Sequence, residues 1–196
     1  RRIQQAASWR LLGRTFPRIK QVSPMRKVIG IGETILDILF KNNQPTVAVP
    51  GGSVFNGLVS LGRAGANVTF ISEVGGDHVG DIILNFMKDN GISTDNVKVY
   101  PDRKSPISLA FLNEKNDAEY SFYKDYPSLR LDVDMPEVTS EDIVMFGSFY
   151  AITPQLRDKV KELLDKAREA GAIIYYDVNF RSTHAHEAIK LMPTIL

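Results

Sequence analysis

The chain has 196 residues, 43% of them hydrophobic, with 24 basic and 23 acidic side chains, no cysteine and a net charge of +1. That is enough apolar material for one sizeable core, while the missing cysteines exclude disulfide scaffolds, thiolate metal sites and cysteine nucleophiles. No apolar run approaches the ~20 residues needed to cross a bilayer, so the expectation is a cytoplasmic protein without a membrane partner.

Charge is unevenly placed. Residues 1–24 hold Arg1, Arg2, Arg10, Arg14, Arg18 and Lys20 and no acid. Such a leader is compatible with an organelle transit peptide. The abrupt change at Met25-Arg26-Lys27-Val28 favours translated upstream sequence instead. In either case it is expected to be disordered or not native, and the fold is expected to occupy 25–196. Without the leader the chain is acidic, which argues against a nucleic-acid surface. His78, His184 and His186 do not have the spacing of a zinc site.

Val28-Ile29-Gly30-Ile31-Gly32 reads as a buried parallel strand. The dinucleotide fingerprint would need a further glycine where Ile35 stands, so a Rossmann cofactor loop is not expected. Asp37 interrupts the apolar run Ile35–Phe40, and an acid there is costly to bury without a partner. It is either a ligand-binding carboxylate or an edge residue in solvent. Gly51 and Gly52 then end an extended segment before a helix over Ser53–Ala64, with Val54, Leu58 and Leu61 at helical spacing. Glycines at a helix entrance let a ligand approach the backbone, and Asn56 one turn later can donate and accept. A tight turn before a core helix explains the same residues.

Val68–Ser72 reads as a strand, followed by a helix carrying Ile82, Ile83, Phe86 and Met87 that stops at Gly91. Strand–helix–strand–helix order predicts a parallel sheet covered by helices. Ile107–Leu112 and Ala118–Tyr123 form a hairpin pattern, with a polar turn between and Tyr120, Phe122 and Tyr123 on the second arm. It either projects as a flap or forms an antiparallel edge to the main sheet. Ile143–Gly147 is a further strand, and Thr153-Pro154 predicts a helix start that runs to Gly171. Ala172–Tyr176 is a last strand, ending in Asp177-Val178-Asn179-Phe180-Arg181 at the position where open parallel sheets bind ligands. An amphipathic segment, residues 188–195, reaches the last residue without a stop signal, and the expectation is a truncated protein.

Together these stretches resemble the ribokinase-like (PfkB) carbohydrate kinases, of the fructokinase or 2-keto-3-deoxygluconate kinase type. The resemblance rests on Gly30-Ile31-Gly32-Glu33 with Asp37, on Gly51-Gly52-x-x-x-Asn56 with Leu61-x-Arg63-x-Gly65, on Phe70-Ile71-x-x-Val74-Gly75-x-Asp77-x-x-Gly80, and on Asp177-x-Asn179-x-Arg181. It implies a three-layer α/β/α fold with a mainly parallel central sheet and a projecting β-lid, the lid hairpin lying at about 105–125. It implies ATP-dependent phosphorylation of a monosaccharide hydroxyl, with ATP and Mg2+ required and a monovalent cation as a further candidate. Asp37 and Asn56 would bind sugar hydroxyls against the backbone of Gly51 and Gly52. Phe122 and Lys124 would close over the sugar, and Asn179 and Arg181 would stand near the transferring phosphoryl group. Lysine at 124 lacks the bidentate geometry of arginine, which weakens the case for an acidic sugar. The resemblance also implies a homodimer through the lid.

One departure matters. The family's Gly-Ala-Gly-Asp turn, whose Asp is the general base, is absent from the 196 residues and is expected C-terminal to Leu196. Residues 1–196 alone are therefore expected to be inactive. A non-catalytic sugar-binding or interaction protein, and a nucleoside kinase of the adenosine type, are the alternatives.

Overall fold

Every residue of β1, Val28–Ile31, is buried, and period-two alternation sends its side chains to both faces of a sheet. The computed structural model describes residues 26–115 and 117–179. The basic leader, Arg181 and the amphipathic segment at 188–195 lie outside the described residues. The elements that follow are β2 (Ile35–Lys41), β3 (Gln44–Gly51), α1 (Ser53–Arg63), β4 (Val68–Gly75), α2 (His78–Asp89), β5 (Ile92–Ser93) and β6 (Val97–Tyr100). After them come β7 (Ile107–Leu112), β8 (Ala118–Tyr123), β9 (Ile143–Gly147), α3 (Ser148–Ile152), α4 (Arg157–Ala170) and β10 (Ile173–Asp177).

The main sheet runs β10-β9-β1-β4-β5, with β6 also on β4, and its pairings are parallel. Two apolar clusters cover it. Ile29, Ile31, Val144 and Phe146 meet Val160, Leu163, Leu164 and Ala167 of α4 on one face. Val28 and Phe70 meet Val54, Phe55 and Leu58 of α1 and Ile83 and Met87 of α2 on the other. Fully burying a side chain such as Phe55 contributes about 1.5–3 kcal/mol, so the two clusters hold the three layers together. The helical faces differ from the expected ones in detail. Leu61 and Ile82 turn outward, and Phe55 and Val59 complete the buried stripe of α1.

Chain order reverses at β1, whose neighbours β4 and β9 lie on opposite sides, so a crevice opens beyond its carboxyl end. The chain leaves the main sheet at that end. β2 and β3 pair antiparallel, β2 pairs parallel with β7, and β7 pairs antiparallel with β8. The result is a separate four-stranded sheet, β3-β2-β7-β8. It is larger than the two-stranded hairpin expected from the sequence, because β2 and β3 belong to it as well. All of β8 is exposed.

The helix expected from Thr153-Pro154 begins differently. α3 follows β9 directly, and the Thr153 hydroxyl donates to the Phe149 carbonyl at 2.8 Å rather than capping a helix. A 3-10 turn over Pro154–Leu156 then leads into α4. Gly171 closes α4 in the left-handed region at φ 73°, as the sequence predicts.

Asp77 joins the two sheets. As the N-cap of α2, its Oδ1 accepts from the Gly80 N–H at 2.9 Å and from the Ser105 hydroxyl at 2.7 Å, and its Oδ2 accepts from the Ser105 N–H at 3.1 Å. Burial alone would raise the Asp77 pKa, but these donors outweigh it and hold the carboxyl below the usual value. The sign follows from a lowered folded-state pKa. The stabilisation is complete above the unfolded value near ~3.9 and is lost as pH falls through the folded one. Asp77→Ala is expected to cost about 1–2 kcal/mol at neutral pH. Urea unfolding as a function of pH checks this, and the gap from wild type should close in acid.

Candidate functional site

Asp37 sits in β2, one strand into the small sheet, with Ser108 of β7 as its register partner. The buried Ser108 hydroxyl donates to Asp37 Oδ1. That bond fixes the carboxylate and leaves Oδ2 beside Gly51 at the end of β3. A methyl group on Gly51 would lie 2.5 Å from Asp37 Oδ2 and 3.9 Å from Asn56 Oδ1. Carboxylate and amide therefore converge on a stretch of backbone kept bare by glycine. Gly52 has φ 148°, and a Cβ there would collide with the Glu33 carbonyl, so this position is closed to other residues on two grounds. Gly52 offers no side-chain cap to the first N–H groups of α1.

The far wall comes from β10. Asn179, in the left-handed region at φ 40°, donates from its side-chain amide to the Ser53 hydroxyl at 3.0 Å. Its N–H donates to Asp177 Oδ1 at 2.9 Å. The end of β10 is thereby tied to the first residue of α1, immediately after Gly51-Gly52. Asp37, Gly51, Gly52, Asn56 and Asn179 are brought to one place. Arg181 lies outside the described residues.

The lid residues are arranged differently. The Lys124 ammonium donates to Glu33 Oε1 at 2.6 Å, and the Tyr126 hydroxyl donates to the same oxygen. Lys124 also lies 5.3 Å from the ring centroid of Phe122. Phe122 is 59% exposed and stacks on Tyr120 with centroids 5.8 Å apart. Lys124 thus ties the returning strand of the small sheet to the exit of β1.

Sequence reasoning missed Ser108, Ser53 and the part played by Glu33. Ser108 had a weak signal, a small polar residue inside an apolar strand, but only the β2–β7 pairing reveals which residue it meets. Among the described residues no group of three or more His, Asp or Glu side chains could hold a metal ion.

The chain as a whole has known relatives. Residues 25–195 match the pfkB family carbohydrate kinase profile. The chain belongs to that family. It is 27% identical over 166 residues to a probable chloroplastic fructokinase-6 of Arabidopsis thaliana, a match covering 79% of the chain and 43% of that protein. Its identity to a fructokinase of Solanum tuberosum is 24% over 187 residues, covering 84% and 57% respectively. This pfkB chain spans about half the length of the curated relatives it matches. Among solved structures, a fructokinase from Vibrio cholerae superposes with a TM-score of 0.72 at 19% identity, over 87% of this chain and 60% of that one. An uncharacterized sugar kinase from Pyrococcus horikoshii gives 0.71 at 22%, over 86% and 62%. A fructokinase from Xylella fastidiosa with bound ATP gives 0.66 at 22%, over 84% and 54%. The ribokinase-like architecture, a mainly parallel sheet between helices, is common ground with these structures.

Proposed function

We propose that the whole protein transfers the γ-phosphoryl group of ATP to a hydroxyl of a neutral monosaccharide of the fructose type, and that this chain carries the acceptor-binding half. The observation that carries the reading is the convergence of Asp37 Oδ2 and Asn56 Oδ1 on Gly51. A carboxylate accepts two hydroxyl protons in charge-assisted bonds, and a primary amide both accepts and donates, which matches the alternating demands of a polyol. The bare backbone at Gly51-Gly52 lets a sugar ring lie against it. Ser108 holds Asp37 so that one oxygen stays turned to the ligand, and Asn179 braces the α1 entrance through Ser53.

Within the chain the chemistry is binding and orientation. The residue that takes the hydroxyl proton is expected C-terminal to Leu196. The described residues supply no carboxylate cluster for Mg2+. Phosphoryl transfer relies on positioning and charge compensation more than on covalent help from the protein, so fixing the acceptor is a substantial share of the task. Lys124, committed to Glu33, supplies no unpaired charge for a carboxylate, which supports a neutral sugar over an acidic one.

The test is a coupled ATP-consumption assay on the full-length protein across neutral ketoses, aldoses, aldonates and nucleosides. Turnover with a neutral monosaccharide is expected, and no turnover with any sugar would sink the reading. Sugar binding without turnover would favour the non-catalytic alternative. We further propose self-association through the small sheet, on which Tyr120, Phe122 and Tyr123 are all more than half exposed. Sedimentation velocity should give a dimer that Phe122→Glu dissociates.

A further inference from the structure

The backbone of Glu33 is fixed from three directions. Gly32, just before it, donates its N–H to the Ile71 carbonyl at 3.2 Å, and its carbonyl accepts from the Ser72 hydroxyl at 2.8 Å. Thr34, just after it, is buried. The Glu33 carbonyl itself lies where a Cβ on Gly52 would collide with it. Glu33 is therefore a rigid base set against the glycine pair of the acceptor crevice.

From that base its carboxylate reaches the chain leaving β8. Glu33 Oε1 accepts from the Lys124 ammonium at 2.6 Å and from the Tyr126 hydroxyl. Asp125, between them, accepts from the Arg103 guanidinium at 3.3 Å and from the Lys104 N–H at 3.2 Å, and that loop leads into β7. Both ends of the β7–β8 hairpin thus converge on residues 124–126, and Glu33 joins this root to the exit of β1. The side chains of Lys124 and Glu33 keep 33% and 28% of their surface exposed, so their pairing contributes little to global stability. What it fixes is geometry. β7 carries Ser108, whose hydroxyl holds Asp37, so the place of the hairpin sets the place of the acceptor carboxylate.

We infer that Glu33 is a positioning residue for the acceptor. By binding Lys124 and Tyr126 it holds the β7–β8 hairpin, and through Ser108 the Asp37 carboxylate, in register with the Gly51-Gly52 backbone. The inference rests on the acceptor-site reading above and adds to it a residue that acts through the small sheet. Lys124 serves Glu33 rather than the sugar.

The experiment is steady-state kinetics on the full-length protein, with the sugar and ATP varied in turn. Glu33→Met removes both contacts and should raise the KM for the sugar about tenfold, since fewer molecules hold the site in its binding-competent form. Lys124→Met and Tyr126→Phe, which remove one contact each, should raise it about threefold, and Lys124→Arg should stay within about twofold of wild type. kcat and the KM for ATP should change less than about twofold, and the melting temperature of Glu33→Met should fall by no more than about 3 °C. The deciding measurement is the double variant Glu33→Met with Lys124→Met, which should be no worse than Glu33→Met alone. Additive effects would show that Lys124 acts on the sugar directly, and the inference fails. It fails equally if Glu33→Met leaves the sugar KM unchanged or raises that for ATP instead. Asp37→Ala separates the two levels. If that variant keeps the wild-type sugar KM, the acceptor site is misassigned and this inference falls with it, whereas a damaging Asp37→Ala beside a silent Glu33→Met removes the positioning role alone.

Discussion

Arg130→Met is expected to destabilise the protein by about 3–5 kcal/mol, the largest stability loss foreseen for a single substitution. Arg130 is 8% exposed and Glu73 5%, and the guanidinium is paired with Glu73 Oε1. Glu73 Oε2 accepts from the Leu131 N–H at 2.9 Å. The guanidinium carbon also lies 3.6 Å from the ring centroid of Tyr126. The pair as a whole need not stabilise much, because the cost of taking two ions out of water offsets most of their attraction. Removing one partner is different. It strands Glu73 as a buried carboxylate with a single backbone donor, inside β4 and next to the core.

Total stabilities are about 5–15 kcal/mol, so the loss is a large fraction of the whole. For a chain of this size it should lower the melting temperature by on the order of 10 °C. Urea unfolding of Arg130→Met, Glu73→Gln and the double variant checks the account. The double variant should regain much of the loss, because no buried charge is left. A cost below about 1 kcal/mol for Arg130→Met would show that water reaches the pair.

The comparison with the sequence divides along the range of the interactions. Asp37 and the Gly51-Gly52-x-x-x-Asn56 stretch were legible because each is locally anomalous, an acid within an apolar run and two glycines before a helix. The parallel sheet was legible from its βα alternation, and the stops at Gly91 and Gly171 from the left-handed backbone they require. Interactions between distant segments were not. Ser108 meets Asp37 across 71 positions, Lys124 meets Glu33 across 91 and Arg130 meets Glu73 across 57. No local periodicity encodes such pairs.

β3 was legible only as an extended segment ending at Gly51 and Gly52, and its pairing was hidden for another reason. Its first six residues are exposed, and Pro45 and Pro50 bracket it, so it lacks the half-buried alternation that marks a strand. Without the β2–β3 and β2–β7 pairings the small sheet reads as a hairpin rather than four strands. Thr153-Pro154 was legible in part, since the chain turns helical at Pro154, first as a 3-10 turn and then as α4. It has the composition of a helix start, but the preceding short helix claims the Thr153 hydroxyl.

Asp37→Ala is expected to lower kcat/KM for the preferred sugar by about 10²–10³, with the KM for ATP unchanged within about twofold. A hydrogen bond to a charged group contributes about 1.5–3 kcal/mol, and 1.4 kcal/mol corresponds to a factor of ten. One such bond to the sugar accounts for ten- to a hundredfold. The rest comes from misplacement of the acceptor hydroxyl, since geometry near the reacting atoms is steeply rewarded. Asn56→Ala, which removes an uncharged partner, should cost nearer tenfold.

Asp37→Asn separates charge from shape. Its side-chain oxygen can still accept from Ser108, but the atom beside Gly51 becomes an N–H donor and turns a proton towards a hydroxyl proton. It should therefore be almost as damaging as alanine. Gly51→Ala should resemble both, because its methyl group would occupy the space next to Asp37 Oδ2 where the sugar oxygen is to sit. Steady-state kinetics with the sugar and ATP varied in turn decides the matter. If Asp37→Ala changes the KM for ATP and leaves that for the sugar alone, the carboxylate faces the wrong substrate and the assignment of this crevice to the acceptor fails.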